Sequence, residues 1–190
     1  MDIAQIEKSL SKSFEEWVEK LTEDEKNAIF LYTTNAYKEI NGYLRNENEL
    51  VNYTINDIKL IDSALNKFIL KNDIIVFRFE NRELDKKEKI LNLLKRRNYI
   101  FYSNFCSTSI DEIEVDNKIK YSLKSNNNVL IIKIKALVSK ELKCAYIKNL
   151  SEFPEENEVL VIRNVYLVIY HIKEENNIIT IYGELTKGED

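Results

Sequence analysis

The apolar pattern of this chain changes character near residue 70, and that change does most to limit what it can fold into. Before it, Ile3, Ile6, Leu10, Phe14, Trp17 and Leu21 recur at spacings of three and four, the repeat of a helix with one buried face. That helix ends near Lys20, and Thr22 with Glu25 forms a T-x-x-E capping box that starts a second. Ala28, Ile29, Tyr32, Ala36, Ile40 and Leu44 carry the second helix to Arg45. Residues 46–55 are Asn-rich and polar, hence a loop, and Asn56 caps a third helix with Ile58, Ile61, Leu65 and Phe68 facing inward.

Beyond residue 70 the runs shorten and turn β-branched. Ile74–Phe79 (IIVFRF) reads as a strand. Residues 83–97 read as a helix, with Glu83–Lys87 and Asp85–Lys89 spaced i,i+4 on an exposed face. Tyr99–Ser109 alternates weakly and ends in Ser-Thr-Ser, and residues 111–128 are polar and close in an Asn126-Asn127-Asn128 turn. Val129–Lys135, Lys143–Ile147, Glu158–Ile162, Val165–Ile172 and Ile178–Leu185 then follow at the spacing of antiparallel strands. Helices first and strands afterwards predict an α+β fold. No repeat or linker divides the chain, so residues 1–190 are expected to form one domain, helical over 1–70 and strand-rich over 71–190.

Composition removes several function classes. A net charge of −4 gives no global attraction to nucleic acid or anionic membranes. Cys106, Cys144 and the single His171 are too few for a structural zinc site, so no metal is expected. Three glycines provide no phosphate-cradling loop of the Rossmann or Walker kind. Met1 leads into polar residues and no run of eighteen apolar residues occurs, so neither a signal peptide nor a transmembrane helix is expected. The expectation is a protein made in the cytoplasm, with any delivery to a target cell by a signal-independent route.

Residues 151–163, SEFPEENEVLVIR, place four glutamates within seven positions beside the only proline. Pro154 predicts a turn at Phe153-Pro154-Glu155, followed by the strand from Glu158. In extended backbone, residues two apart share a face, so Glu156 and Glu158 are expected to present paired carboxylates.

Three features then stand in order: Arg78 inside IIVFRF, Ser107-Thr108-Ser109 closing a later strand, and Glu156-x-Glu158. In these the chain resembles the ADP-ribosyltransferase toxins of the Arg, S-T-S, E-x-E class, and above all the catalytic domains of clostridial and bacillary binary toxins that modify actin. Phe14-Glu15-Glu16-Trp17 with Leu21-Thr22 looks like the family's EEW…LT stretch. Tyr32, Tyr37-Lys38-Glu39-Ile40-Asn41 and Tyr43-Leu44-Arg45 look like its Y…YKEINxYLR helix. Asn104 stands three residues before Ser107, and Ser151-Glu152-Phe153 fits the turn before the glutamate pair. The likeness covers roughly residues 12–185.

The resemblance implies helices packed on a mixed, mainly antiparallel two-sheet core that uses NAD as substrate. It implies that Glu158 holds a ribose hydroxyl and the forming sugar cation, an electrostatic task shared with glycoside hydrolysis. Glu156 then serves the accepting group, Arg78 meets the pyrophosphate side, and Ser107 fixes the Glu158 rotamer. Tyr32, Tyr37 and Asn41 are expected on the adenosine side, Asn104 on the nicotinamide side, and Phe153 facing the target. Phe79 stands where relatives often carry a second arginine. The phosphate–nicotinamide loop, placed near residues 111–128, has no aromatic-x-x-Arg, with Tyr121 and one of Lys118, Lys120 or Lys124 as substitutes. The adaptor domain of the binary-toxin enzymes has no counterpart in the sequence, so delivery through their pore is not expected.

The expected activity is mono-ADP-ribosyl transfer to a macromolecule. Glu156, as the first residue of E-x-E, implies protein arginine as acceptor. Nucleic acid is the alternative acceptor, with Lys86, Lys87, Lys89, Lys95, Arg96 and Arg97 as a local basic patch. A non-catalytic NAD-binding module is the alternative of a different class. An enzyme acting in the cell that makes it calls for an antitoxin or immunity protein as partner.

Overall fold

The structure, a computed structural model, describes residues 3–188; Met1 and Asp2, on which the reading of the chain's start rests, lie outside the described residues. Helix α1 (Ile3–Val18) buries Leu10, Ser13, Phe14 and Trp17. Trp17 Nε1–H donates to Ala64 O at 2.7 Å, and its ring meets Phe14 and Phe68 edge-on at 5.8 and 5.6 Å, the arrangement aromatic quadrupoles favour. Helix α2 (Glu23–Leu31) begins on the expected capping box, with Thr22 Oγ1 accepting from Glu25 N and the Glu25 carboxylate accepting from Thr22 N. Buried Glu25 also accepts from Ser63 Oγ and the Lys67 ammonium, each at 2.7 Å, tying α2 to α4 (Ile55–Lys67). The cap of α4 is Thr54 with Asp57 rather than Asn56, because Thr54 has an acidic residue three positions on to complete the box.

The second helix does not run unbroken to Arg45. Tyr32–Ala36 form a π-helical turn with Thr34 at φ −78°, ψ −129°, and α3 (Tyr37–Leu44) resumes after it. Thr33 and Thr34 hydroxyls donate to Phe30 O and Leu31 O at 2.8 and 2.6 Å. They compete with main-chain N–H groups for those carbonyls, which bends the helix.

The strands are β1 (Ile74–Glu83), β2 (Tyr99–Tyr102), β3 (Cys106–Ser109), β4 (Val129–Val138), β5 (Cys144–Tyr146), β6 (Glu158–Val161), β7 (Val165–Glu175) and β8 (Ile178–Lys187), with α5 (Lys87–Arg97) between β1 and β2. They form one hydrogen-bonded sheet in the order β2-β7-β8-β4-β1-β3-β6-β5, parallel at β4/β8 and antiparallel elsewhere. The mixed, mainly antiparallel character is as expected, but the ladder is single rather than two-sheeted. Its weak link explains the difference: β1 and β3 share the single pair Phe77–Ser109, while β1 and β4 pair along ten residues. Strands that touch once must diverge on either side, and the cleft opens there.

Alternation divides the core. Ile74, Val76, Leu130, Ile132 and Ile134 join the helical core with Trp17 and Ile29, whereas Phe77, Val129 and Ile131 face Val115 and Ile119. The latter two belong to α6 (Glu112–Ser125), which replaces the loop expected over residues 111–128. Asp111 caps it through Oδ1, which accepts from Ile113 N and Glu114 N. Its buried face is narrow, with Ile113 and Tyr121 exposed, so its helical repeat is faint. No described helix is long and apolar enough to cross a membrane.

Candidate active site

A cavity of about 320 Å³ occupies the gap where β1 and β3 part. Seven of the nine residues singled out from the sequence line it: Tyr32, Tyr37, Arg78, Ser107, Phe153, Glu156 and Glu158. They come from the kinked helix, β1, β3 and the turn before β6, four segments far apart in the chain.

The glutamate pair is built differently from an extended ribbon. Pro154–Glu156 form a 3₁₀ turn, Asn157 takes the left-handed conformation at φ 47°, and β6 begins at Glu158. Asparagine tolerates that region because its short polar side chain bonds locally, and Tyr146 OH donates to Asn157 Oδ1 at 3.0 Å. The carboxylates therefore converge through a turn, with unequal surroundings. Glu158 is 5% exposed and Glu156 about a third exposed. Burial pushes the Glu158 carboxyl up to about 7; the Ser107 hydroxyl works against this, and the charge of Glu156 adds to it.

Glu156 accepts from the Lys118 ammonium at 2.5 Å, and Lys118 also lies 2.7 Å from Glu114 on the same helix. Ser109 fixes the turn. Its hydroxyl donates to Glu156 O at 2.7 Å and accepts from Asp111 N at 3.0 Å. Thr33 fixes the other end, its hydroxyl accepting from Glu152 N at 2.9 Å, so the helix kink and the glutamate turn are joined.

Arg78 sits mostly buried over the Tyr102 ring, its guanidinium carbon 5.3 Å from the centroid. Burial opposes its charge, but Glu80, 3.0 Å from Nη2, more than compensates and holds its pKa above the usual value. Nη1 donates to Ser107 O at 3.4 Å, and the buried Nε has no partner within the protein. A guanidinium that lines a cleft suits an anionic group.

Tyr32 is buried against Phe105 and Tyr37, while Tyr37 and Phe153 are 42% and 46% exposed at the cleft. The two asparagines stand back from the lining. Asn41 is buried and donates to Tyr32 OH at 2.8 Å, so it reaches the cavity only through that tyrosine. Asn104 is buried with its amide donating to Phe105 O at 2.7 Å. Thr33, Ser109 and Glu114 line the cavity with no role expected from the sequence, and Lys118, expected as a substitute in the phosphate–nicotinamide loop, stands at the acceptor carboxylate. Ser109 was legible as the second serine of S-T-S; Glu114, and the pairing of Lys118 with Glu156, required α6 to be recognised as a helix. Among the described residues no group of three or more His, Cys, Asp or Glu is placed to hold a metal ion.

Residues 9–187 match the family model of the ADP-ribosyltransferase exoenzymes. The chain belongs to that family. It is 30% identical over 179 residues to the NAD(+)–arginine ADP-ribosyltransferase EFV of Enterococcus faecalis, covering 92% of this chain and 34% of that protein. It is likewise 30% identical over 180 residues to the mono-ADP-ribosyltransferase C3 of a Clostridium botulinum phage, covering 88% of this chain and 72% of the relative. The chain thus spans about a third of the Enterococcus relative and most of the phage one. Among solved structures, the Plx2a ADP-ribosyltransferase toxin of Paenibacillus larvae superposes with a TM-score of 0.74 at 24% identity, covering 98% of each chain. The exoenzyme fold accounts for the helices preceding the mixed sheet.

Proposed function

We propose that this exoenzyme-family chain is a mono-ADP-ribosyltransferase that cleaves NAD and transfers ADP-ribose to protein arginine, its residues acting as one catalytic unit. The observation that carries the reading is the convergence of Arg78, Ser107, Glu156 and Glu158 on one cleft. The name of the Enterococcus relative, which specifies arginine, supports the acceptor class.

The chemistry follows from the geometry. The bond from the ribose carbon to nicotinamide breaks, and nicotinamide leaves with the electron pair as a neutral molecule. Positive charge develops on the sugar, where an ionised Glu158, itself buried, stabilises it at short range. Ser107 favours that ionised form. The guanidinium nitrogen then bonds to the ribose carbon and gives up a proton, for which Glu156 is the exposed base. The Arg78 guanidinium, which lines the cleft, suits the pyrophosphate.

A nucleic-acid acceptor has weaker support. Of the basic patch on and before α5, Lys86 is paired with Glu83 and Lys87 with Glu174, which neutralises part of its field. Incubating a host lysate with labelled NAD separates the two acceptors. The expected label survives nuclease and is lost to protease; label removed by nuclease would overturn the protein-arginine reading.

A further inference from the structure

The acceptor side of the cleft already holds a cation supplied by the protein itself. Lys118 Nζ lies 2.5 Å from Glu156 Oε1 and 2.7 Å from Glu114 Oε1. The two carboxylates come from separate elements, the turn before β6 and the first turn of α6, yet both line the cavity that contains Glu158. One anchor serves them both: Ser109 Oγ lies 2.7 Å from Glu156 O and 3.3 Å from Glu114 Oε2.

One ammonium spans both carboxylates. Lys118 donates a hydrogen bond to Glu156 at 2.5 Å and pairs with Glu114 Oε1 at 2.7 Å. An ammonium is compact and behaves as a point charge, whereas a guanidinium spreads five N–H groups over a planar fork. The fork could donate to Glu156 and Glu114 together. The Lys118 side chain is not locked in place. It is 42% exposed, and a second cavity of about 990 Å³ adjoins the first through Phe79, Glu114 and Lys118, giving it space to swing into.

We propose that Lys118 is an internal stand-in for the acceptor's guanidinium, which displaces it and bridges Glu156 and Glu114, making Glu114 an acceptor-binding residue. This rests on the acceptor being a guanidinium, as proposed above. Lys118 stays protonated in the resting site, since burial works against its charge but the two glutamates outweigh it. Every acceptor must therefore compete with a permanent internal cation.

Agmatine, a small guanidino compound, is the probe, followed by NMR titration for binding and by transfer kinetics with NAD for turnover. Lys118→Ala and Lys118→Gln should each tighten agmatine roughly 1.5- to fivefold, the range expected for releasing a partly exposed ion pair. Lys118→Arg, which fills both carboxylates from within, should weaken agmatine binding. Glu114→Gln should raise the KM for agmatine about tenfold while moving the KM for NAD less. Unchanged or weaker agmatine binding in Lys118→Ala would mean that the lysine only braces Glu156, and would overturn the inference; so would an unaltered KM for agmatine in Glu114→Gln. A wild-type protein that releases nicotinamide but neither binds nor modifies agmatine would instead overturn the guanidinium reading on which the inference stands. Thermal melting of each variant separates these results from misfolding.

Discussion

Glu158 carries its proton through most of the acidic range because burial withholds solvent from its charged form. Its carboxyl is held near 7, against an ordinary glutamate value of 4.5. Stabilising a cationic sugar requires the ionised form, so kcat/KM for NAD cleavage should rise with pH through an apparent pKa near 7. Glu156→Gln removes a nearby negative charge that raises this pKa, and should move the limb to lower pH. A pH–rate profile with its limb at the ordinary glutamate value would contradict the assignment. The sign for stability is the reverse. Between about 4.5 and 7 the folded protein holds a proton that the unfolded chain has released, so this group's contribution is present at low pH and lost as pH rises through 7. Glu158→Gln should therefore lose less stability than the wild type as pH rises from about 4.5 to 7. At this scale the sequence was informative about residue identity: seven of the nine residues named from motifs do meet at the cavity. It was uninformative about partners. The Lys118 contact joins residues 38 positions apart, and nothing local encodes that.

Among the elements, the bend between α2 and α3 connects backbone chemistry to the site. Thr33 Oγ1 donates to Phe30 O and accepts from Glu152 N, so one hydroxyl both kinks the helix and holds the glutamate turn. Thr33→Val keeps the shape and removes both bonds. It should cost about 1–2 kcal/mol of stability, because the Glu152 amide loses its partner, and should speed hydrogen exchange at Glu152. Unaltered exchange there would show that the turn is held by other contacts. Apolar spacing located the helices and most of the strands, since burial of one face is written in the repeat itself. It missed the kink, where Tyr32, Ala36 and Ile40 stay buried across the break and the repeat survives. It also missed α6, whose buried side chains are only Val115 and Ile119. The paired orientation of Glu156 and Glu158 was reached from a strand geometry that the 3₁₀ turn and the left-handed Asn157 replace.

Across the whole molecule, strand order lies beyond what local patterning specifies. The parallel β4/β8 ladder joins Ile131 to Ile178 and closes a long loop, and the single Phe77–Ser109 pair decides whether one sheet or two are present. Which runs are strands was readable; which run lies beside which was not, because alternation reports faces and not neighbours. The same weak link makes room for the cleft, so the architecture and the proposed chemistry share one cause. In the proposed mechanism Glu158 promotes cleavage of the NAD bond and Glu156 directs the sugar to a guanidinium. Product analysis by mass spectrometry after incubation with NAD and agmatine tests it most directly. The wild type should yield nicotinamide and ADP-ribosylagmatine. Glu156→Gln should still release nicotinamide but form free ADP-ribose, and Glu158→Gln should lose both products by about 10²–10³-fold. ADP-ribosylagmatine formed at wild-type rate by Glu158→Gln would contradict it.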